Sequence, residues 1–198
     1  MSPETIRAFA AAKLPWIRQQ QRKLQAQERE TPREYLDRES HHVFGRRCMV
    51  TITEEDAPPK VELRHNTLFL RVRPGTTEAS RHEVLEEWYR VMLRDAAAPL
   101  IARWEPVLGV TVRRVFVQHM KTKWGSCNHK RQTIRLNTEL AKKPRECLEY
   151  LVVHEMIHLL EPTHDQRFVM LMDESLPHWQ YYRQLLNRLP LRHEQWEY

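Results

Sequence analysis

Within the segment Tyr150 to Leu160, His154 and His158 are separated by three residues, and Glu155 directly follows the first. On an α-helix four residues advance by about 400°, so the two imidazoles leave one face about 6 Å apart. Placed so, they can share a Zn²⁺ at ~2.0–2.1 Å. Glu155 lies about 100° further round, where its carboxylate reaches a water on the ion but not the ion itself, the place of a general base. With 11 His and 21 Glu in 198 residues, composition alone predicts about 0.06 matches to H-E-x-x-H, so the pattern needs support. His164 supplies it: six residues past His158, beyond Glu161-Pro162, it lowers the chance expectation to about 0.004. A helix stopping at Leu160 and turning through Glu161-Pro162 returns a third imidazole to the ion. Three protein ligands leave a fourth position for water, as catalytic sites do. Imidazole donors accept other divalent transition metals as well as zinc.

The elements around this constellation must hold it. Leu148, Leu151, Val152, Val153, Met156, Ile157, Leu159 and Leu160 make the His154 helix apolar on nearly every face, which predicts burial. Two histidines and a glutamate buried there are costly unless a metal satisfies them. That helix is expected to start with Pro144 at its first position. A second starts from a Thr163/Gln166 capping box, and a third runs from near Pro177 to before Pro190. Upstream, Val110–Val117 and Thr133–Asn137 read as strands. A long helix from a Ser80/Glu83 capping box to Glu105 carries the stripe Leu85, Trp88, Tyr89, Met92 and Leu93, with Pro99 expected to divide it. Residues 47–53, 61–65 and 67–73 read as an antiparallel β-meander after a polar connector at 30–42. Ser2-Pro3 opens an N-terminal helix that Pro15 is expected to interrupt. The order of elements is α+β, with residues 1–75 as a helix-and-meander region and 76–198 as the catalytic domain.

Composition narrows the classes. Hydrophobic residues make up 41% and charged residues 29%, too apolar for a disordered chain. No apolar run approaches the ~18 residues of a membrane span, and residues 1–30 have no secretory core. Cys48, Cys127 and Cys147 are odd in number and far apart, so a disulfide framework is not expected and a cytoplasmic location fits. Between Thr111 and Lys143 lie nine basic residues and one acid, a local charge of +8 against +6 for the whole chain. Such a segment suits phosphates of a nucleotide or a nucleic acid, or is simply a solvated face.

His154 to Phe168, with Trp124-Gly125-Ser126-Cys127 and Ile134-Arg135-Leu136-Asn137, resembles the YgjP-like metal-dependent hydrolases, a branch of the zincin metallopeptidases related distantly to SprT-like proteins. Glu39 to His42, Gly45 to Arg47 and Pro177 to Trp179 extend the resemblance over most of the chain. It implies a zincin-like α+β domain with a small antiparallel sheet, zinc ligation by His154, His158 and His164, and an acid/base role for Glu155. It also implies that the strand Ile134–Asn137 is a sheet edge to which an extended peptide adds. Position 161 is Glu where metzincins turn on Gly, which points to Pro162 for the route to His164.

Lys121, Lys123, Trp124 and Asn137 are candidate substrate- or anion-binding residues, and Asp173 a candidate partner for a ligating imidazole. Cys127 is expected to be a buried thiol rather than a ligand. Tyr181, Tyr182 and His178 are expected to be core rather than oxyanion stabilisers, and His41-His42 beside Arg46-Arg47 stays undecided. The function expected first is zinc-dependent peptide hydrolysis. The alternatives are hydrolysis of a nucleoside triphosphate such as UTP at the same site, and protein processing on DNA.

Overall fold

In the computed structural model, residues 2–26 and 35–189 are described. The chain divides into two compact units, residues 1–31 with 188–198, and Pro32–Asn187. In the first unit, helix α1 spans Pro3–Ala26, and the Ser2 hydroxyl accepts from the Thr5 backbone N–H at 3.2 Å. The helix runs unbroken through Pro15, contrary to the interruption expected. The flanking run of Ala, Lys, Gln and Arg favours helix strongly enough to absorb one lost hydrogen bond, about 3 kcal/mol.

The second unit begins with four strands, β1 Ser40–Val43, β2 Arg46–Glu54, β3 Lys60–Arg64 and β4 Thr67–Val72. They are ordered β1-β2-β4-β3, with β2 and β4 parallel and the other pairs antiparallel. This corrects the meander: β4 inserts between β2 and β3. Strand periodicity reports which face is buried but not which strand lies alongside. Val50, Leu68, Leu70 and Val72 are fully buried from this sheet. The β1–β2 turn, Phe44-Gly45, has φ of 45° and 78°, the positive pair that a two-residue hairpin requires.

Helix α2, Glu78–Leu108, contains Pro99 and Pro106 without dividing, and it buries Leu85, Tyr89, Leu93, Ala97, Ile101 and Trp104 along one face. Tertiary packing of that stripe outweighs the proline penalty. Its N-cap is Thr77, whose side chain accepts from the Ser80 N–H at 3.3 Å, three residues before the Ser80 expected there.

A second sheet follows, of β5 Arg114–Gln118, β6 Gly125–Asn128 and β7 Thr133–Asn137, ordered β5-β7-β6. It is small, as expected, but mixed: β5 is parallel to β7 and β6 antiparallel. Strand β7 is therefore central, which overturns its assignment as the edge; the edges are β5 and β6. A 3₁₀ turn, Thr138–Lys142, leads into helices α3 Arg145–Ile157, α4 Gln166–Ser175 and α5 Trp179–Arg188. Pro144 is the N-cap of α3, one position earlier than expected. The N-cap of α4 is Asp165, accepting from Phe168 N–H at 3.0 Å, in place of Thr163. Cys147, Leu148, Val152, Val153, Met156 and Ile157 of α3 are almost wholly buried, as its apolar character predicts.

Candidate metal centre

His154 and Glu155 sit in the last turn of α3, and His158 is its C-cap. The chain then tightens: Leu160 N–H donates to Ile157 O at 2.9 Å, and so does Glu161 N–H. Glu161, next to Pro162, braces the return. Its carbonyl accepts from His158 Nδ1 at 2.9 Å, and its carboxylate takes the Thr163 hydroxyl at 3.1 Å and faces Arg167 at 3.8 Å. The result brings three rings together. His164 Nε2 lies 3.1 Å from both His158 Nε2 and His154 Nε2, and one nitrogen from each ring falls within 4.8 Å of the others.

These nitrogens fit a metal. Two nitrogens bound tetrahedrally at ~2.0–2.1 Å lie about 3.3 Å apart, close to the separation here. A carbonyl can only accept, so in the neutral His158 ring the proton sits on Nδ1 and Nε2 presents its lone pair. Burial, then the neighbouring imidazoles and Arg183, push His154 down to about 3, and burial lowers His164 too. Both shifts favour the neutral form of these two rings. Phe168 forms the wall behind them, its ring centroid 5.0, 4.7 and 4.7 Å from those of His154, His158 and His164. Tyr150, one turn before His154, meets that ring edge-on at 5.7 Å and is stacked at 6.4 Å on Trp179 of α5.

Glu155 is only 4% exposed. Burial lifts its pKa to about 8, against the opposing pull of Lys123. The carboxylate owes its room to Gly125: a Cβ there would lie 2.5 Å from Glu155 Oε1 and 3.0 Å from Cδ. Only glycine lets β6 pass so close. Beside it Cys127 is half-buried and free, its thiol raised to about 11 by burial and by Glu155.

The other expected residues divide. Lys123 is exposed and acts on Glu155 through its charge; Lys121 is exposed, and no contact ties it to the three histidines among the described residues. Trp124 is half-buried beside Gly125. Asn137 is buried, and its carboxamide is occupied within the protein. Nδ2 donates to Met120 O at 2.7 Å and Lys123 O at 2.8 Å, while Oδ1 accepts from Glu139 N–H at 3.2 Å. It clamps the β5–β6 connection instead of facing the cleft. Asp173 accepts the Trp179 indole N–H at 2.7 Å, so it anchors the ring stack and partners no imidazole. Tyr181 is 63% exposed, outside the core expected for it. His41 is buried, 3.4 Å from the Glu39 carboxylate. Part of the basic segment is not surface at all, since Lys142 and Lys143 are buried.

The sequence alone gives no specific role to Gly125, Phe168, Tyr150 or Arg183. The signals for two of them are spacings of four: Tyr150 precedes His154, and Arg183 follows Trp179, by one helical turn.

An α+β frame that converges three imidazoles beside a buried glutamate defines a metal-dependent hydrolase. The family model for the YgjP-like metallopeptidase domain matches residues 1–189, and the chain belongs to that family. Among solved structures it is similar to the metallopeptidase zymogen abylysin of Pyrococcus abyssi, at 19% identity and a TM-score of 0.43, over 49% of this chain and 99% of that one. It is likewise similar to the zymogen jannalysin of Methanocaldococcus jannaschii, at 20% and 0.39, over 48% and 92%. No curated protein matches the sequence. No helix among the described residues is long and apolar enough to cross a membrane.

Proposed function

We propose that His154, His158 and His164 hold one divalent transition ion, zinc by the donor set, and that Glu155 serves as general base and acid in peptide-bond hydrolysis. The observation that carries this reading is the convergence of three Nε2 atoms next to a buried carboxylate. When bound, the ion supplies Lewis acidity, acidifying water and polarising the carbonyl under attack. Glu155 accepts a proton from the attacking water. The same carboxyl then gives that proton to the departing amine, so the elements of water add across the C–N bond. Strand β6 pairs only with β7 among the described residues. A peptide extended along its free edge runs past Gly125, against which the Glu155 carboxylate packs.

Zinc-loaded protein is screened against an unfolded polypeptide and against nucleoside triphosphates, beside Glu155→Gln. Peptide cleavage is expected, falling about 10²–10⁴-fold in the variant with metal content unchanged. Lys123, exposed and with its charge reaching Glu155, favours a second reading in which the same site opens a phosphoanhydride. Pyrophosphate release without proteolysis would select it. Hydrolysis that survives Glu155→Gln contradicts both.

A further inference from the structure

Arg183 stands out among the arginines near the metal centre because no acid pairs with it among the described residues. Arg167 faces Glu161, and Arg103 pairs with Glu149, whereas Arg183 is exposed and no carboxylate pairs with it among the described residues. It is nevertheless held in place. Its guanidinium lies 5.9 Å from the Trp179 ring centroid, a contact that orients the group while leaving its N–H fork open. Trp179 is buried, tied to Asp173 through its indole N–H and stacked at 11° on Tyr150, whose ring abuts His154. The stack that backs a ligand histidine, His154–Tyr150–Trp179, thus ends on this guanidinium. Its charge is felt at Tyr150, His154 and His164, where burial is the larger influence.

We propose that Arg183 forms a carboxylate subsite, gripping an acidic group on the substrate peptide near the bond to be cut, and so sets specificity. The proposal rests on the peptidase reading above for its substrate class. A planar fork pairs with a carboxylate through two parallel hydrogen bonds, and a hydrogen bond to a charged group is worth enough to discriminate about tenfold or more between acid and amide. The acid has two sources, a Glu or Asp side chain or a free C-terminal carboxylate.

The test uses zinc-loaded protein and matched peptides. One set exchanges Glu for Gln near the cleaved bond with amidated C-termini, and the other exchanges a free for an amidated C-terminus. Wild type is expected to favour the acid member of one set about tenfold or more in kcat/KM. Arg183→Ala and Arg183→Gln, the latter keeping the stem over Trp179, should bring that ratio close to one. Arg183→Lys should restore part of it, and Arg183→Glu should turn the preference towards lysine-bearing peptides. A ratio unchanged in Arg183→Gln, or an equal loss on acid and amide members, overturns the subsite and leaves Arg183 as packing for Trp179. Calorimetric binding of the same peptides to zinc-loaded Glu155→Gln separates the two readings. Acid-selective binding that depends on Arg183, with no cleavage by wild type, keeps the subsite and removes the peptidase reading. Binding without acid preference removes the subsite.

Discussion

Around Lys142 the folded chain supplies its own counter-charges: the ammonium lies 2.8 Å from Glu139 Oε1 and 3.7 Å from Glu86 Oε1, over the Tyr89 ring at 5.3 Å. Around His154, the same unit half-buries two imidazoles and buries Glu155 beneath an exposed third ring; among the described residues no carboxylate pairs with the rings and only the charge of the exposed Lys123 reaches Glu155. Both clusters cost desolvation. The first recovers that cost within the protein, and in doing so it fastens the start of α3. The β1–β2 turn donates from Phe44 N–H to Ala141 O at 2.8 Å and from Gly45 N–H to Lys142 O at 3.2 Å, and Arg145 lies 4.1 Å over the Phe44 ring. The second leaves its donors for a ligand to complete. The difference teaches that buried charge marks a candidate site where the protein has left it unanswered, and a strut where it has answered it.

The largest expected effect breaks the answered cluster. Lys142→Ala leaves two carboxylates without their ammonium and should cost about 3–5 kcal/mol of stability, read by urea unfolding. Glu155→Gln, isosteric and at the unanswered cluster, should move the same midpoint by no more than about 0.5 kcal/mol. Equal losses in the two variants would erase the distinction. Next comes Gly125→Ala, whose methyl must displace the Glu155 carboxylate. Peptide hydrolysis should fall about 10²-fold through that misplacement, while stability drops by about 1–3 kcal/mol. Unaltered kinetics would mean that the close approach has no catalytic purpose.

The smallest effect is one of pH. In metal-free protein His154 stays neutral until about pH 3, whereas the unfolded chain binds that proton near pH 6.5. Below 6.5 the unfolded state therefore holds more protons, and stability falls as the solution becomes more acidic, until pH 3 is passed. His154→Gln should make that slope shallower. A slope identical to wild type would show that His154 is not held neutral by its surroundings.

The comparison also explains what the sequence could reveal. The His154 helix was legible because four-residue spacing and an apolar surround are local properties of α3. Strand β7 was found at its observed bounds because Thr133 to Asn137 alternates. Strand β6, Gly-Ser-Cys-Asn, and β1, Ser-His-His-Val, carry little intrinsic β preference, and tertiary pairing imposes their conformation. The Asn137 carboxamide looked available to a substrate because its consumers, the carbonyls of Met120 and Lys123, meet it only after the β5–β6 connection folds back. Likewise the +8 segment read as one surface, although folding withdraws Lys142 into the ion cluster and buries Lys143.

X-ray absorption at the zinc edge on stoichiometrically loaded protein addresses the triad without reference to any substrate. One ion per chain with three imidazole nitrogens at ~2.0–2.1 Å is predicted, and the signal should be lost in His154→Ala and His164→Ala. A shell containing sulfur from Cys127, or binding that survives removal of either histidine, would contradict the assignment of these three rings as the metal site.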